Sequence, residues 1–275
     1  MKPVNFDYAR PKDVDASLSM LAEDGRSVKV VAGSQSLGPM LNMRLVQPDL
    51  LVDITGIDEL RQVKEEADGV VIGACITHAD IEDRRVPDVT VGALPSVAHG
   101  IAYRAVRNRG TIGGSLTHAD PSADWISILA ALGASVTLRG PNGVRTISVE
   151  DYMLGALEAD LRAGELLVSV KAPRLSRSAR WGYHKICRKT GEFARAIGAF
   201  VVDPERGVCR AVIGATETRP IVVAEARAII GDGDPAHFDT QAADASASSA
   251  GMNDALERQT HVVALRRAVE RAADQ

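Results

Sequence analysis

Arg107-Asn108-Arg109-Gly110-Thr111-Ile112-Gly113-Gly114-Ser115-Leu116 places three glycines within five residues, with a hydroxyl side chain on each flank of the glycine pair. Glycine tolerates close backbone approach, so Gly113-Gly114 is read as bringing amides to phosphate oxygens, with Thr111 and Ser115 as side-chain donors. Ile112 is placed to lie against a flat apolar ring. Arg107 and Arg109 are read as holding the loop or facing a partner. A Rossmann fingerprint is absent, because no Gly-x-Gly-x-x-Gly follows a strand here. An ordinary surface loop also carries glycines. The hydrophobic flanks and the continuation Asp120-Pro121-Ser122-Ala123-Asp124 point instead to an ordered segment.

This is the second of two such loops in chain order; the first lies upstream. Val28-Lys29-Val30-Val31-Ala32 reads as a strand running into Gly33-Ser34-Gln35-Ser36, with a short helix expected from Pro39 through Arg44. Successive amides at such a turn make an anion-binding concavity, and Ser34 and Ser36 add hydroxyls. With no Lys or Arg inside the loop, neutral donors would carry the phosphate, and the Walker lysine is missing. Taken alone, this is an ordinary Gly-Ser turn. Two such loops in one chain point to a dinucleotide pyrophosphate.

Working outward, Leu18 and Leu21 mark a first helix, with Pro11 in its first turn and Asp24-Gly25 as its stop. Leu50–Ile54 is a strand, and the unit over 1–55 is expected to form an α/β lobe. A second lobe, 56–172, holds a strand at Val70–Ala74 and a helix capped by Thr77 that contains Ala79, Asp80, Ile81 and Glu82. One helical stretch runs through Val97, Ile101, Ala105 and Val106 into a long loop, 108–124. A short apolar helix, Trp125 to Leu132, is stopped by Gly133, and strands follow near 134–139, around Pro141-Asn142-Gly143, and at Glu165–Val170. The third lobe, 173–275, is read as strands near 181–187, 196–203 and 208–216 with helices at 219–230 and 255–272. The Ala/Ser/Asp-rich stretch 232–252 is expected to be partly helical or mobile.

Composition narrows the function. The 275 residues carry a formal net charge of −4 and a pI near 5.9, which gives no footing for nucleic acid. No apolar run spans a bilayer, and the N-terminal residues lack the apolar core of a signal peptide, so a cytoplasmic protein is expected. Cys75, Cys187 and Cys209 form neither a disulfide framework nor a Cys-x-x-Cys cluster motif. The six histidines show no metal-binding spacing, so no metal is expected on this chain. Between 171 and 195, eight basic residues face a single acid, Glu192, and this stretch is read as a docking face.

Three motifs, in order, carry a resemblance: Val31-Ala32-Gly33-Ser34-Gln35-Ser36-Leu37; Arg-Asn-Arg-Gly-Thr-Ile-Gly-Gly-Ser with Ala119-Asp120-Pro121-Ser122-Ala123-Asp124; and Lys185-x-x-Arg188-Lys189-x-Gly191-Glu192-Phe193-Ala194. The chain resembles, over essentially its whole length, the FAD-binding medium subunit of molybdenum hydroxylases, the carbon monoxide dehydrogenase and xanthine dehydrogenase relatives. That resemblance implies an α+β fold: a two-lobed FAD-binding domain of the vanillyl-alcohol-oxidase or PCMH type, then a small α/β C-terminal domain with an antiparallel sheet.

It also implies a cofactor site. Val31, Ala32, Gly33, Ser34, Gln35, Ser36 and Leu37, with Gly110, Thr111, Ile112, Gly113, Gly114 and Ser115, would bind the pyrophosphate and position the flavin. Ile101, Ala102 and Val106 would line the adenine side, and Asp124 would accept from a ligand hydroxyl while also serving as a helix cap. Leu167, Lys185 and Phe193 would lie beside the flavin, the lysine stabilising the negative charge of its reduced form. His118, just after the second loop, completes the set and is the one candidate for a covalent tether. The sequence departs from the family pattern in having Ser34 for a frequent glycine, Ser115 for a frequent asparagine and Phe193 for a tyrosine.

The implied role is electron transfer. Molybdenum–pterin on a large partner and [2Fe-2S] clusters on a small partner would feed FAD on this chain, in a dimer of heterotrimers, with no acid, base or nucleophile required here. The alternative is a self-sufficient flavin oxidase or reductase of the same fold.

Overall fold

The computed structural model describes residues 2–23, 25–231 and 237–275. Its first sheet is parallel. Strands β1 (Asp7–Ala9), β2 (Val28–Val31) and β3 (Leu50–Asp53) pair in the order β1-β3-β2, with helices α1 (Val14–Leu21) and α2 (Leu37–Asn42) as connections. The edge strand β1 was not expected: three residues are too few to show a pattern. Pro11 precedes α1 rather than entering it, because the Asp13 carboxylate accepts from the Ala16 amide and fixes the start there. Of the expected stop, Asp24 lies outside the described residues and Gly25 has φ +79. Pro39 is the third residue of α2, and the helix ends before Arg44, which sits at φ +58.

The second sheet is antiparallel, ordered β4-β5-β10-β6-β7. Its strands are β4 (Val63–Glu66), β5 (Gly69–Gly73), β6 (Ser135–Gly140), β7 (Gly143–Ser148) and β10 (Leu166–Pro173), with a small hairpin of β8 (Met153–Gly155) and β9 (Glu158–Ala159) beside it. Between β5 and β6 run α3 (His78–Glu82), α4 (Ala93–Gly100), α5 (Arg104–Arg107), α6 (Ile112–His118) and α7 (Asp124–Leu132); α8 (Val149–Tyr152) follows β7. Thr77 caps α3 as the sequence predicts, and Asp80 additionally reaches back to the Thr77 amide, completing a capping box. Every residue of α7 is buried, and Gly133 ends it in the left-handed region.

Two expectations here need correction. The single helix through Val97 and Val106 is two, α4 and α5, separated at Ile101–Tyr103 with Ala102 at φ +40. The long loop 108–124 contains α6, because the Thr111 hydroxyl accepts from the Gly114 amide and caps a helix there. Gly113 and Gly114 thus sit in a first helical turn.

The third sheet, β11 (Arg180–Ile186), β12 (Ala196–Asp203), β13 (Val208–Gly214) and β14 (Ile221–Val223), is an antiparallel meander. Helices α9 (Arg227–Ile230), α10 (Thr240–Ser249) and α11 (Ala255–Ala273) accompany it, and α11 packs on β11 and β12. The expected helix 219–230 is instead β14 followed by α9; the β-branched run Ile221-Val222-Val223 extends the sheet. Within 232–252, α10 is helical, while 232–236 lie outside the described residues.

The basic stretch is largely neutralised within the chain. Lys171 pairs with Glu66 and Asp68, Arg174 with Glu65, Lys185 with Asp124, and Arg188 and Lys189 with Glu192. The stretch is therefore not a uniform run of free positive charge.

Candidate cofactor-binding site

The two glycine loops meet. A Cβ built on Gly33 would stand 2.0 Å from the Arg109 carbonyl oxygen and 2.7 Å from the Gly110 Cα. Gly113 also lies tight against Ala74, where a Cβ would come within 2.6 Å of the alanine side chain. The second loop is stitched to the β5–α3 segment by backbone bonds. His78 N–H donates to Gly110 O (2.9 Å), Ile112 N–H to Ile76 O (3.0 Å) and Gly113 N–H to Ala74 O (3.0 Å). These glycines first serve chain-to-chain approach.

The expected donor set changes as a result. The Gly113 and Gly114 amides already donate to Ala74 O and to the Thr111 hydroxyl, so they are not the free phosphate donors read from the sequence. The amides of Ser34, Gln35, Ser36 and Leu37 donate to no described residue, so the first loop supplies the open amides. Ser34 holds φ +60, a conformation unfavourable to a residue with a Cβ. Ser34→Gly is accordingly expected to retain FAD and to raise stability by about 0.5–1 kcal/mol, read by urea unfolding of the apoprotein.

A cleft of about 550 Å³ opens between the loops. Ala32, Gly33, Ser34, Gln35, Ser36, Leu37, Gly110, Thr111, Gly113, Gly114, Ser115 and His118 line it. So do Ile101, Ala102, Val106, Asp124, Leu167 and Phe193. Three expected residues do not. Val31 is engaged in β2 beside Asp53, and Ile112 points into the core with no exposure. Lys185 directs its ammonium to Asp124 Oδ1 (2.9 Å) and Gly100 O (2.8 Å). Its charge balances Asp124 instead of facing the cleft.

Asp124 is built as an acceptor. Its Oδ1 also takes the Tyr183 hydroxyl at 2.8 Å, while Oδ2 accepts from no described residue. Burial, then the Asp124 charge, pushes the Tyr183 phenol well above its ordinary pKa, so it stays a donor. The expected cap role is not Asp124's: Ala123 is the cap and Asp124 the first helical residue.

Arg107 holds the wall opposite. Its guanidinium grips Glu82 through Nε (2.7 Å) and Nη2 (3.0 Å), and donates from Nη1 to the carbonyls of Ile101 (2.9 Å) and Ala102 (3.2 Å). It thereby keeps the left-handed Ala102 turn against the cleft, rather than holding the glycine loop itself as the sequence suggested. Residues the sequence reading missed include His78, Tyr103, Leu161 and Leu166, all lining the cleft. Their only sequence signal is adjacency: His78 follows the cap Thr77, and Leu166 precedes Leu167.

Open amides, an apolar wall at Ile101, Val106 and Leu167, and a carboxylate oxygen left for a hydroxyl suit a flavin dinucleotide. The fold and cleft define an α+β, two-lobed FAD-binding protein of the vanillyl-alcohol-oxidase type with a further antiparallel sheet. The chain belongs to the family described as FAD binding domain in molybdopterin dehydrogenase, whose model matches residues 4–175. It is therefore a flavoprotein of an oxidoreductase family.

The chain is 36% identical to the carbon monoxide dehydrogenase medium chain of Afipia carboxidovorans over 99% of its own length and 98% of that protein's. It is 38% identical to the corresponding chain of Hydrogenophaga pseudoflava, covering 74% of this chain and 70% of that one. Caffeine dehydrogenase subunit beta of a Pseudomonas species is 34% identical over 74% of this chain and 70% of the relative. Among solved structures, quinoline 2-oxidoreductase from Pseudomonas putida 86 superposes with a TM-score of 0.86 at 33% identity, over 100% of this chain and 99% of that one.

Proposed function

We propose that this chain is the FAD-binding electron-transfer subunit of a heteromeric molybdenum-containing hydroxylase or dehydrogenase. A large molybdopterin-binding chain and a small iron–sulfur chain would deliver electrons to the FAD, which passes them to an external acceptor. The support that carries this reading is the cleft between the two glycine loops, in a chain whose relatives are named as medium chains or subunits of dehydrogenases. FAD, when bound, supplies the redox chemistry. The chain's own residues bind and orient it: Ser34 to Leu37 offer amides to its phosphates, Asp124 Oδ2 takes a hydroxyl, and Leu167 lines its apolar side. Phe193, 74% exposed at the cleft mouth, leaves that end open to a partner or an acceptor.

The division into 1–55, 56–172 and 173–275, and a dimer of heterotrimers, belong to the same proposal. So does a cytoplasmic setting, supported by three cysteines that are all free thiols. No helix among the described residues is long and apolar enough to cross a membrane. Purified protein is expected to be yellow, to release flavin on denaturation, to co-purify with two further chains, and to turn over no small substrate alone. A colourless protein that takes up no FAD overturns the reading; turnover by the isolated chain supports the self-sufficient enzyme instead.

A further inference from the structure

His78 opens α3 at 5% exposure and lines the cleft floor, yet its ring is not fully used by the fold. Trp125 Nε1–H donates to its Nδ1 at 3.0 Å. An indole only donates, so Nδ1 is the bare acceptor and the proton of the neutral ring sits on Nε2. Burial first, and then the Arg107 charge, lowers the imidazole pKa to about 4, so the ring is neutral at ordinary pH. Nε2 bonds no described residue and is not among the buried polar atoms left without a partner, so it keeps an open face.

That open face borders the phosphate loops. A Cβ on Gly110 would stand 2.7 Å from His78 Nε2, and the Cβ position of Gly33 lies 2.7 Å from the Gly110 Cα. Gly110 is thus the shared neighbour of Nε2 and of the loop with the open amides. A histidine kept only for packing needs neither this fixed tautomer nor an unpartnered donor beside a cleft.

We infer that His78 is a cofactor-binding residue whose Nε2–H, fixed as a donor by Trp125, hydrogen-bonds a phosphate oxygen of the dinucleotide. The inference rests on the reading that FAD occupies this cleft. His78 contributes a neutral donor beside Gly33-Ser34-Gln35-Ser36, a loop that holds no Lys or Arg, and Trp125 acts as its positioning residue.

The test uses the full chain freed of FAD and titrated with FAD, ADP and riboflavin. An asparagine amide reaches the place of Nδ1, whereas a glutamine amide reaches that of Nε2. His78→Asn is expected to weaken FAD and ADP about 10-fold or more and to leave riboflavin unchanged. His78→Gln is expected to recover most of the loss. Equal ADP affinity in wild type and His78→Asn overturns the inference while the cleft reading stands. A wild-type chain that binds neither FAD nor ADP overturns the cleft reading itself. Should the variants fail to fold, the 15N resonances of wild-type His78 decide. A protonated Nε2 that shifts on ADP addition supports the inference; an Nε2 that ADP leaves unmoved overturns it.

Discussion

Gly33→Ala is expected to leave the purified protein with less than about a tenth of its flavin and to raise the FAD Kd roughly 100-fold. The added methyl would lie 2.0 Å from Arg109 O and 2.6 Å from Arg109 C, so one backbone must retreat by more than about 1 Å. Neither is free to do so. Gly110 is held at both ends, its amide on Val106 O (2.7 Å) and its carbonyl by His78 N–H (2.9 Å), and the Gly33 carbonyl accepts from Gln35 Nε2 (2.9 Å). Overpacking of this kind costs about 1–3 kcal/mol, and it displaces the one loop whose amides are open. Gly38→Ala is the control. Its Cβ would meet only the Ser34 hydroxyl, at 2.9 Å, and a rotamer change relieves that contact. Wild-type flavin content in Gly33→Ala, measured by absorbance after denaturation, refutes the prediction.

Arg107→Leu is expected to destabilise the chain by about 3–5 kcal/mol, because it leaves the Glu82 carboxylate short of its main partner in a nearly dry position. Both side chains are only about one-tenth exposed (10% and 11%). Arg104 and His99 also reach Glu82 but are themselves well exposed, so they compensate in part. The thermal midpoint should fall by about 10 °C. FAD should weaken too, since the Ile101 and Ala102 carbonyls lose the guanidinium that fixes the wall.

A pH signature separates this from simple loss of packing. Hydrogen bonds from Arg107 first, with His99 and the Arg104 charge assisting against desolvation, hold the Glu82 pKa at about 2. A carboxylate depressed on folding contributes stability that is complete above its unfolded pKa, about 4.3, and is lost as pH falls towards 2. Urea unfolding at pH 7, 4 and 3 should show this loss in the wild type and a smaller one in Arg107→Leu. An unchanged pH slope sinks the assignment.

Much of this protein is set by local sequence. Thr77-x-x-Asp80 dictates the start of α3 and Gly133 the end of α7, because a cap or a left-handed residue acts within one turn of chain. The two glycine loops likewise mark the cleft, and with the Lys185 to Ala194 motif they point to the family. What the tertiary structure decided is how those residues are used. The glycines of both loops turn out to accommodate neighbouring backbone and side chains, so the open amides are those of Ser34 to Leu37. Lys185 is drawn to Asp124, 61 positions away in sequence, and Trp125 fixes the tautomer of His78 across 47. Partners that distant are chosen by packing of whole elements, and no local pattern of residue types records them.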